Sequence, residues 1–228
     1  MTKKNFNFAC IMIVLCNLSY GQQLKTKEDS ATYAYAYQMG QYFKQQQIDL
    51  NINAMSNGLV DGYFEKKSAV NPQELEQLVQ FFNMYAQQQV QAKMEKESGN
   101  NKEIGRKFLE KNKKKKDIVE TSSGLQYQVI KEGNGTKPTE TDKVKVHYVG
   151  TLLDGTIFDS SRQRGEPIVF GLNQVIKGWT EGVQLMTPGS IYKFWIPSEL
   201  AYGDRNIGNI PAGSTLVFEV ELLEVNPQ

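Results

Sequence analysis

The chain has 228 residues, 39% hydrophobic and 22% charged, enough apolar material for two modest domains with separate cores. Lys and Arg number 26 against 25 Asp and Glu, a formal net charge of +1, so the whole-molecule field gives no reason to expect nucleic acid as a partner. Two cysteines and a single histidine leave little material for a metal site or a thiol nucleophile.

The first 21 residues carry the three parts of an export signal: basic Lys3-Lys4, an apolar core from Phe8 to Leu18, and small Ser19 and Gly21 before Gln22. Removal after Gly21 is expected. The rival reading, an uncleaved anchor, is weakened because the apolar run is too short for a confident membrane span. Cys10 and Cys16 both lie in this segment, so cleavage leaves a chain without thiols, which suits an oxidising compartment. Lipid attachment at Cys16 is the alternative, disfavoured by the bulky Leu15 where lipoprotein signals prefer a small residue.

From Lys25 to about Lys115 there is one proline, Pro72, and apolar residues recur at three and four positions, the period of an α-helix. A first helix is expected from Asp29 or Ser30, either of which can cap it, to about Gln46. A second runs from Asn53 to Lys66 with Met55, Leu59, Val60, Tyr63 and Phe64 along it. A third begins at Asn71, where an Asn cap, Pro72 at the first turn and Glu74 three residues on make a capping-box arrangement. Leu75, Leu78, Val79, Phe82 and Tyr85 form its apolar stripe, which past Val90 thins to Met94, Ile104 and Phe108 among Gln, Lys and Glu. That part is expected to stand free of a core as a stalk, the helix measuring roughly 65 Å in all. Ser98-Gly99-Asn100-Asn101 is poor helix material and marks a place for a kink or break. These helices carry more aromatic surface than they can bury alone, so self-association is expected to cover it; a monomeric helical appendage is the alternative.

Lys111-Asn112-Lys113-Lys114-Lys115-Lys116 reads as a solvated basic linker at a helix end, where cations complement the helix dipole, in preference to a polybasic contact. Past it the period changes to two. Leu125, Tyr127 and Val129 alternate with polar partners, as do Val144, Val146 and Tyr148, and Asp154-Gly155 supplies a tight hairpin turn. Ser190 to Ile196 and Thr215 to Val225 add strands, and Trp179 to Leu185 reads as one short amphipathic helix. The fold class is α+β: an N-terminal helical region with a long connecting helix, then a twisted antiparallel β-sheet wrapped on one short helix. The sole histidine, His147, has no Cys or Ser partner at meaningful spacing, and no His, Asp and Glu cluster approaches ligand spacing, so hydrolysis and metal catalysis are disfavoured. Gly133 and Gly135 are followed by no Gly-Lys-Ser pattern, so neither a nucleotide nor any other cofactor is expected.

Several motifs follow one another in this half: Val144-Lys145-Val146-His147-Tyr148-Val149-Gly150, Asp154-Gly155, Thr156-Ile157-Phe158-Asp159-Ser160-Ser161-Arg162, Val175-Ile176-Lys177-Gly178-Trp179, Ala201-Tyr202-Gly203 and Leu216-Val217-Phe218-Glu219-Val220-Glu221-Leu222-Leu223. Their order and spacing resemble the FKBP-type peptidyl-prolyl isomerases, over about half the chain from roughly Asp117 onward. Met39-Gly40, Gly58-Leu59-Val60-Asp61-Gly62, and Gly105-Arg106-Lys107-Phe108-Leu109 followed by Ser123-Gly124-Leu125-Gln126-Tyr127 are similar to the N-terminal dimerisation region of the macrophage infectivity potentiator and FkpA branch, exported members with a long connecting helix. The resemblance implies a signal peptide over 1–21, a helical dimerisation domain and stalk over 22–115, and an isomerase domain over 116–228. It also implies a homodimer through the N-terminal helices, a place in the periplasm or at the outer membrane, and prolyl-containing unfolded or exported polypeptides as substrates.

That activity needs neither nucleophile nor metal. The barrier is the loss of amide resonance as the C–N bond twists, some 18 to 20 kcal/mol, and an apolar pocket that strips water from the imide and holds it twisted lowers the barrier by differential binding. By the resemblance the walls fall on Tyr148, Phe158, Phe170, Val175, Ile176, Trp179, Tyr202 and Phe218, with Trp179 as floor and Tyr202 donating to the substrate carbonyl. Asp159 sits at the rim, positioned by Tyr148 and Arg164, with no general-base work assigned. Arg164 and Ile210 join the substrate-binding set. So do Ile168, where many members carry an aromatic, and Ile207, where an aromatic or histidine is common; both departures are expected at the pocket rim and bear on substrate preference and on binding of macrolide inhibitors. A holding chaperone, in which turnover is secondary, is the competing function, and a pure scaffold is favoured only by an occluded pocket.

Overall fold

The computed structural model describes residues 24–227, so the expected signal segment, with Cys10 and Cys16, lies outside the described residues. Helix α1, Lys27–Gln45, falls in a unit of its own that ends at Gln45, and the chain from Gln46 onward makes a second unit. α1 begins earlier than Asp29 because Thr26 is the cap. Thr26 Oγ1 accepts from the Asp29 amide at 3.0 Å, and Asp29 Oδ2 accepts in return from the Thr26 amide at 3.1 Å. Asp29 is therefore the return partner of the capping box and not its first residue. Tyr33 and Tyr37, one turn apart, stack with ring centroids 6.1 Å apart, and α1 buries none of its residues.

Helix α2, Ile52–Tyr63, is capped by Asn51, whose side chain accepts from the Ala54 amide at 3.0 Å. It stops short of Lys66 because the chain turns left-handed at Glu65, φ 52°. Helix α3, Pro72–Asn112, starts where the Asn-Pro signal places it, with Asn71 accepting from the Gln73 amide at 3.1 Å. Leu59 on α2 and Leu75, Leu78, Val79 and Phe81 on α3 stay exposed in the single chain, whereas Ile48, just before α2, is buried.

Two expectations about α3 fail, for one shared reason. The helix runs unbroken for 41 residues, about 60 Å, through Ser98-Gly99-Asn100-Asn101. Its second half is also no free stalk, since Ser98, Gly105 and Asn112 are buried. These three recur at a spacing of seven, which puts them on one face. Their small or polar side chains let α3 lie directly against the β-domain: a Cβ on Gly105 would collide with Thr215. Asn112 Nδ2 donates to Gln126 Oε1 at 3.0 Å, and Gln126 Nε2 donates to the Leu109 carbonyl at 2.9 Å. Within the weak segment the Ser98 and Asn101 side chains, which ordinarily compete with helical backbone, are committed to Asp204 and to the Ala212 carbonyl, so the segment holds its helical form.

After α3 come strands β1, Val119–Glu120; β2, Gln126–Lys131; β3, Lys143–Thr151; and β4, Ile157–Ser160. The short helix α4, Ser161–Arg164, leads to β5, Ile168–Gly171; then follow helix α5, Lys177–Val183, and strands β6, Ile191–Ile196, and β7, Leu216–Val225. One antiparallel sheet orders them β1-β2-β6-β7-β3-β4, and β5 pairs with β3 beside β4. The Asp154-Gly155 turn joins β3 to β4, Gly155 taking φ 89° and Asp154 Oδ1 accepting from Thr156 at 2.9 Å. Alternation is regular: Val144, Val146 and Tyr148 of β3, Phe194 and Ile196 of β6, and Phe218, Val220 and Leu222 of β7 face the core with Trp179 and Val183 of α5. Near α3 the period is lost, since Gln126, Trp195 and Val217, adjacent across β2, β6 and β7, are buried on the opposite face. The sheet is covered on both sides there. α5 starts before Trp179, at Lys177, so Trp179 sits in its first turn and points into the core.

Candidate functional site

Trp179 is 5% exposed, and three rings meet it edge-on: Tyr148 at 5.3 Å and 89°, Phe170 at 5.6 Å and 80°, and Phe218 at 5.2 Å and 87°. Such edge-to-face pairs are the favoured arrangement of aromatic quadrupoles and hold the indole in one orientation. Phe158 of β4 in turn meets Phe218 edge-on at 5.5 Å and 82°. Gly150 on β3 makes this pair possible: a Cβ there would lie 2.7 Å from Phe158 and 2.8 Å from Phe218.

These rings form the floor and one wall of a cavity of about 800 Å³. β3 brings Tyr148, β4 brings Phe158 and Asp159, β5 brings Phe170, and the segment before α5 brings Val175 and Ile176. The chain between β6 and β7 closes the other side with Tyr202, Ile207 and Ile210. Two residues expected at the cavity are elsewhere. Ile168, opposite Val146, is half-buried against the central core and is not among the residues that line the cavity. Arg164 stands behind Asp159 and does not line the cavity. Gln174, Arg205 and Asn209 line it too, although they fall in none of the motifs, and so do Lys177 and Ala201, which sit within motifs but were given no role. Polar loop residues carry no periodic signal, so their direction becomes visible only in three dimensions.

The charged corner is a closed triangle. The Tyr148 hydroxyl donates to Asp159 Oδ2, Arg164 Nη1 donates to Asp159 Oδ1, and Arg164 Nη2 donates to the Tyr148 hydroxyl oxygen at 2.9 Å. Sequence-local turns make it. Ser160 caps α4 by accepting from the Gln163 amide at 3.2 Å, and the single turn brings Arg164 back over the Tyr148 ring at 5.7 Å. Burial works against the Asp159 carboxylate, but the Tyr148 hydroxyl and the Arg164 guanidinium outweigh it and hold the carboxyl below its ordinary range. Burial first, then Asp159, pushes the Tyr148 phenol up, and Asp159 raises Arg164 further. Asp159 is thus a fixed anion and a poor proton carrier near neutrality.

Two donors at the cavity are left over. Among the described residues the Tyr202 hydroxyl makes no hydrogen bond, and neither does the Ile176 amide at the start of α5. His147 does gain a serine partner that its sequence spacing hides, with Nδ1 3.2 Å from Ser161 Oγ. Ser161 is fully buried, and its hydroxyl accepts from the Tyr148 amide at 2.8 Å, so it pins the backbone of β3 and is no exposed nucleophile.

Comparison with known proteins agrees with this architecture. Residues 134–223 match the family described as FKBP-type peptidyl-prolyl cis-trans isomerase, and residues 28–129 match the domain amino-terminal to it. The FKBP-type peptidyl-prolyl cis-trans isomerase FkpA of Aeromonas hydrophila is 45% identical over 210 residues, spanning 89% of this chain and 78% of the relative. Outer membrane protein MIP of Legionella longbeachae is 38% identical over 203 residues, 89% of this chain and 87% of that protein. The crystal structure of FkpA from Escherichia coli superposes with a TM-score of 0.72 at 41% identity, covering 90% of this chain and 99% of the other. An aromatic cavity on an antiparallel sheet, two matching domains and relatives alike over most of their length place the chain in the FKBP-type peptidyl-prolyl cis-trans isomerase family, in its FkpA and Mip branch with the amino-terminal helical domain.

Proposed function

We propose that this isomerase acts on prolyl bonds of unfolded polypeptides outside the cytoplasm, and that the cavity over Trp179 is where the imide twists. The observation that carries this reading is the pairing of an apolar floor with two spare donors: Tyr148 is committed to Asp159, whereas the Tyr202 hydroxyl and the Ile176 amide have no partner among the described residues.

The proline ring rests on the indole of Trp179 between Phe170 and Phe218. Water is kept from the imide, which removes the solvent support that favours the planar, more dipolar amide. The Tyr202 hydroxyl and the Ile176 amide donate to carbonyl oxygens of the peptide flanking the bond. The fixed charge of Asp159 at the rim faces the rotated carbonyl. Each 1.4 kcal/mol by which these groups favour the twisted over the planar form is about tenfold in rate. Lys177, Arg205 and Asn209 also line the cavity and offer polar partners to the backbone of a polypeptide substrate.

For the rest of the chain, residues 22–115 are read as a dimerisation and spacer region and 116–228 as the catalytic one. Support for a homodimer comes from the uncovered faces of α2 and α3, where Leu59 is 68% and Phe81 59% exposed. A periplasmic or outer-membrane location rests on the export-like first residues and on the name of the L. longbeachae relative. Among the described residues no helix is long and apolar enough to cross a membrane.

The same exposed faces favour a second reading, a holding chaperone that captures unfolded envelope proteins while turnover is secondary. Turnover of a prolyl tetrapeptide and suppression of aggregation, measured side by side on Tyr202→Phe and on an Asp159→Asn variant, separate the two. Loss of turnover with holding intact assigns holding to the helices. Normal turnover in both variants overturns the cavity as the site. A macrolide that blocks turnover competitively supports it.

A further inference from the structure

The segment from Gly203 to Gly213 is a loop whose two faces meet different partners. Its base is closed by the Gly213 amide donating to the Gly203 carbonyl at 2.8 Å, and its interior by Asn206 Oδ1 accepting from the Ala212 amide at 2.6 Å and by the Ile207–Ile210 bridge. The inner face contributes Ile207 and Ile210 to the cavity, next to Tyr202 at the loop's entry. The outer face is gripped by α3. Ser98 Oγ donates to Asp204 Oδ1, Lys102 pairs with the same oxygen, and Asn101 Nδ2 donates to the Ala212 carbonyl at 2.8 Å. Gly213, at φ 74°, lies so close to the Ser98 backbone that a Cβ would not fit.

We propose that Ser98, Asn101 and Lys102 of α3 are positioning residues for the isomerase site, and that docking of the long helix holds the cavity wall formed by Tyr202, Ile207 and Ile210 in its binding-competent place. This rests on the cavity being the prolyl site. Residues 204–209 of the loop are exposed; Ile210, Ala212 and Gly213 are buried, but of these only Ile210 belongs to the central core, with Leu200, Ala201 and Tyr202 packed against it at the loop's entry. Lys102, then Ser98, keep the Asp204 carboxyl below its ordinary range, so that carboxylate stays ionised near neutrality. A wall that is in place only part of the time reduces apparent affinity by that fraction, while a saturating substrate draws it back. The coupling therefore acts on KM and spares kcat.

The test uses the full chain with the double variant Asn101→Ala/Lys102→Ala and, separately, Asp204→Ala, with Lys96→Ala on the exposed side of α3 as control. Prolyl-tetrapeptide kinetics should show KM raised about fivefold with kcat within about twofold in the first two, and the control unchanged. Amide exchange of residues 203–213 should quicken in the same variants. Unchanged KM with unchanged exchange overturns the proposal. So does a lowered melting temperature with unaltered KM, because that is the result of a merely structural contact. If either variant is too unstable for kinetics, the charge-reversed pair Lys102→Asp with Asp204→Lys decides: KM should return toward wild type, and failure to do so in a folded protein counts against the clamp. Wild-type turnover unaffected by Tyr202→Phe or Trp179→Leu would instead refute the assignment of the cavity, a distinct outcome.

Discussion

The Tyr148 hydroxyl donates its proton to Asp159, and this one bond decides which tyrosine of the cavity is free to meet a ligand. Tyr148 is 5% exposed and receives Arg164 on its oxygen as well, so both its polar functions are used. Tyr202 is left with its donor open toward the cavity.

Tyr202→Phe should therefore lower kcat/KM about fivefold, the loss of one hydrogen bond of about 1 kcal/mol, with stability unchanged. Tyr148→Phe should act differently: it removes a partner of Asp159 and loosens the Arg164 triangle, so its cost appears in unfolding as well as in turnover. Steady-state kinetics and urea melts on both variants check the contrast.

Asp159 gives a pH dependence of known sign. Its folded pKa lies below the unfolded value, so it stabilises the fold above about pH 4, and that contribution fades as acid protonates it in the folded state. Tyr148 runs the other way, its stabilising share present below about pH 10 and lost above the raised value. Urea midpoints measured between pH 6 and pH 2.5 should fall less steeply for Asp159→Asn than for wild type. An identical slope would mean the triangle does not form in solution.

Trp179 and Trp195 are the only tryptophans, and they lie on opposite faces of the sheet's inner layers, the first under the cavity and the second buried outside the central core. In a Trp195→Phe background the emission of Trp179 should change on adding a prolyl peptide or a macrolide, and in a Trp179→Phe background it should not. Trp179→Ala should cost about 3–5 kcal/mol, since it removes the ring that three others pack against.

Two glycines of α3 should respond oppositely to alanine. Gly99 has open space where a Cβ would go, so Gly99→Ala should stabilise by up to about 1 kcal/mol through helix propensity. Gly105 faces Thr215 with no room, so Gly105→Ala should destabilise despite the same propensity gain. Thermal unfolding of the two variants is the measurement.

Leu59→Lys with Phe81→Lys should convert a dimer to a monomer by light scattering while tetrapeptide turnover stays within about twofold, because neither residue lies in the cavity. A wild-type chain that scatters as a monomer would refute the dimer outright.

Local pattern carried the elements. The Asn71-Pro72 start of α3, the Asp154-Gly155 hairpin and the alternation of Val144, Val146 and Tyr148 are each encoded within a few residues, because helix caps, turns and strand faces obey short-range sterics. The resemblance also named Trp179, Phe170, Phe218 and Tyr202, and the chain brings all four to one cavity. The cap at Thr26 was hidden because three neighbouring residues can all cap. What only the folded chain decided is where long separations close. Ser98 meets Asp204 and Gly105 meets Thr215 across more than a hundred residues, and the side chains at these contacts are small or polar, so they leave no hydrophobic period to read. Ile168 is likewise expected at the rim by the resemblance, but whether it lines the cavity depends on which residue of β3 it pairs with, and register is a property of the sheet and not of one strand.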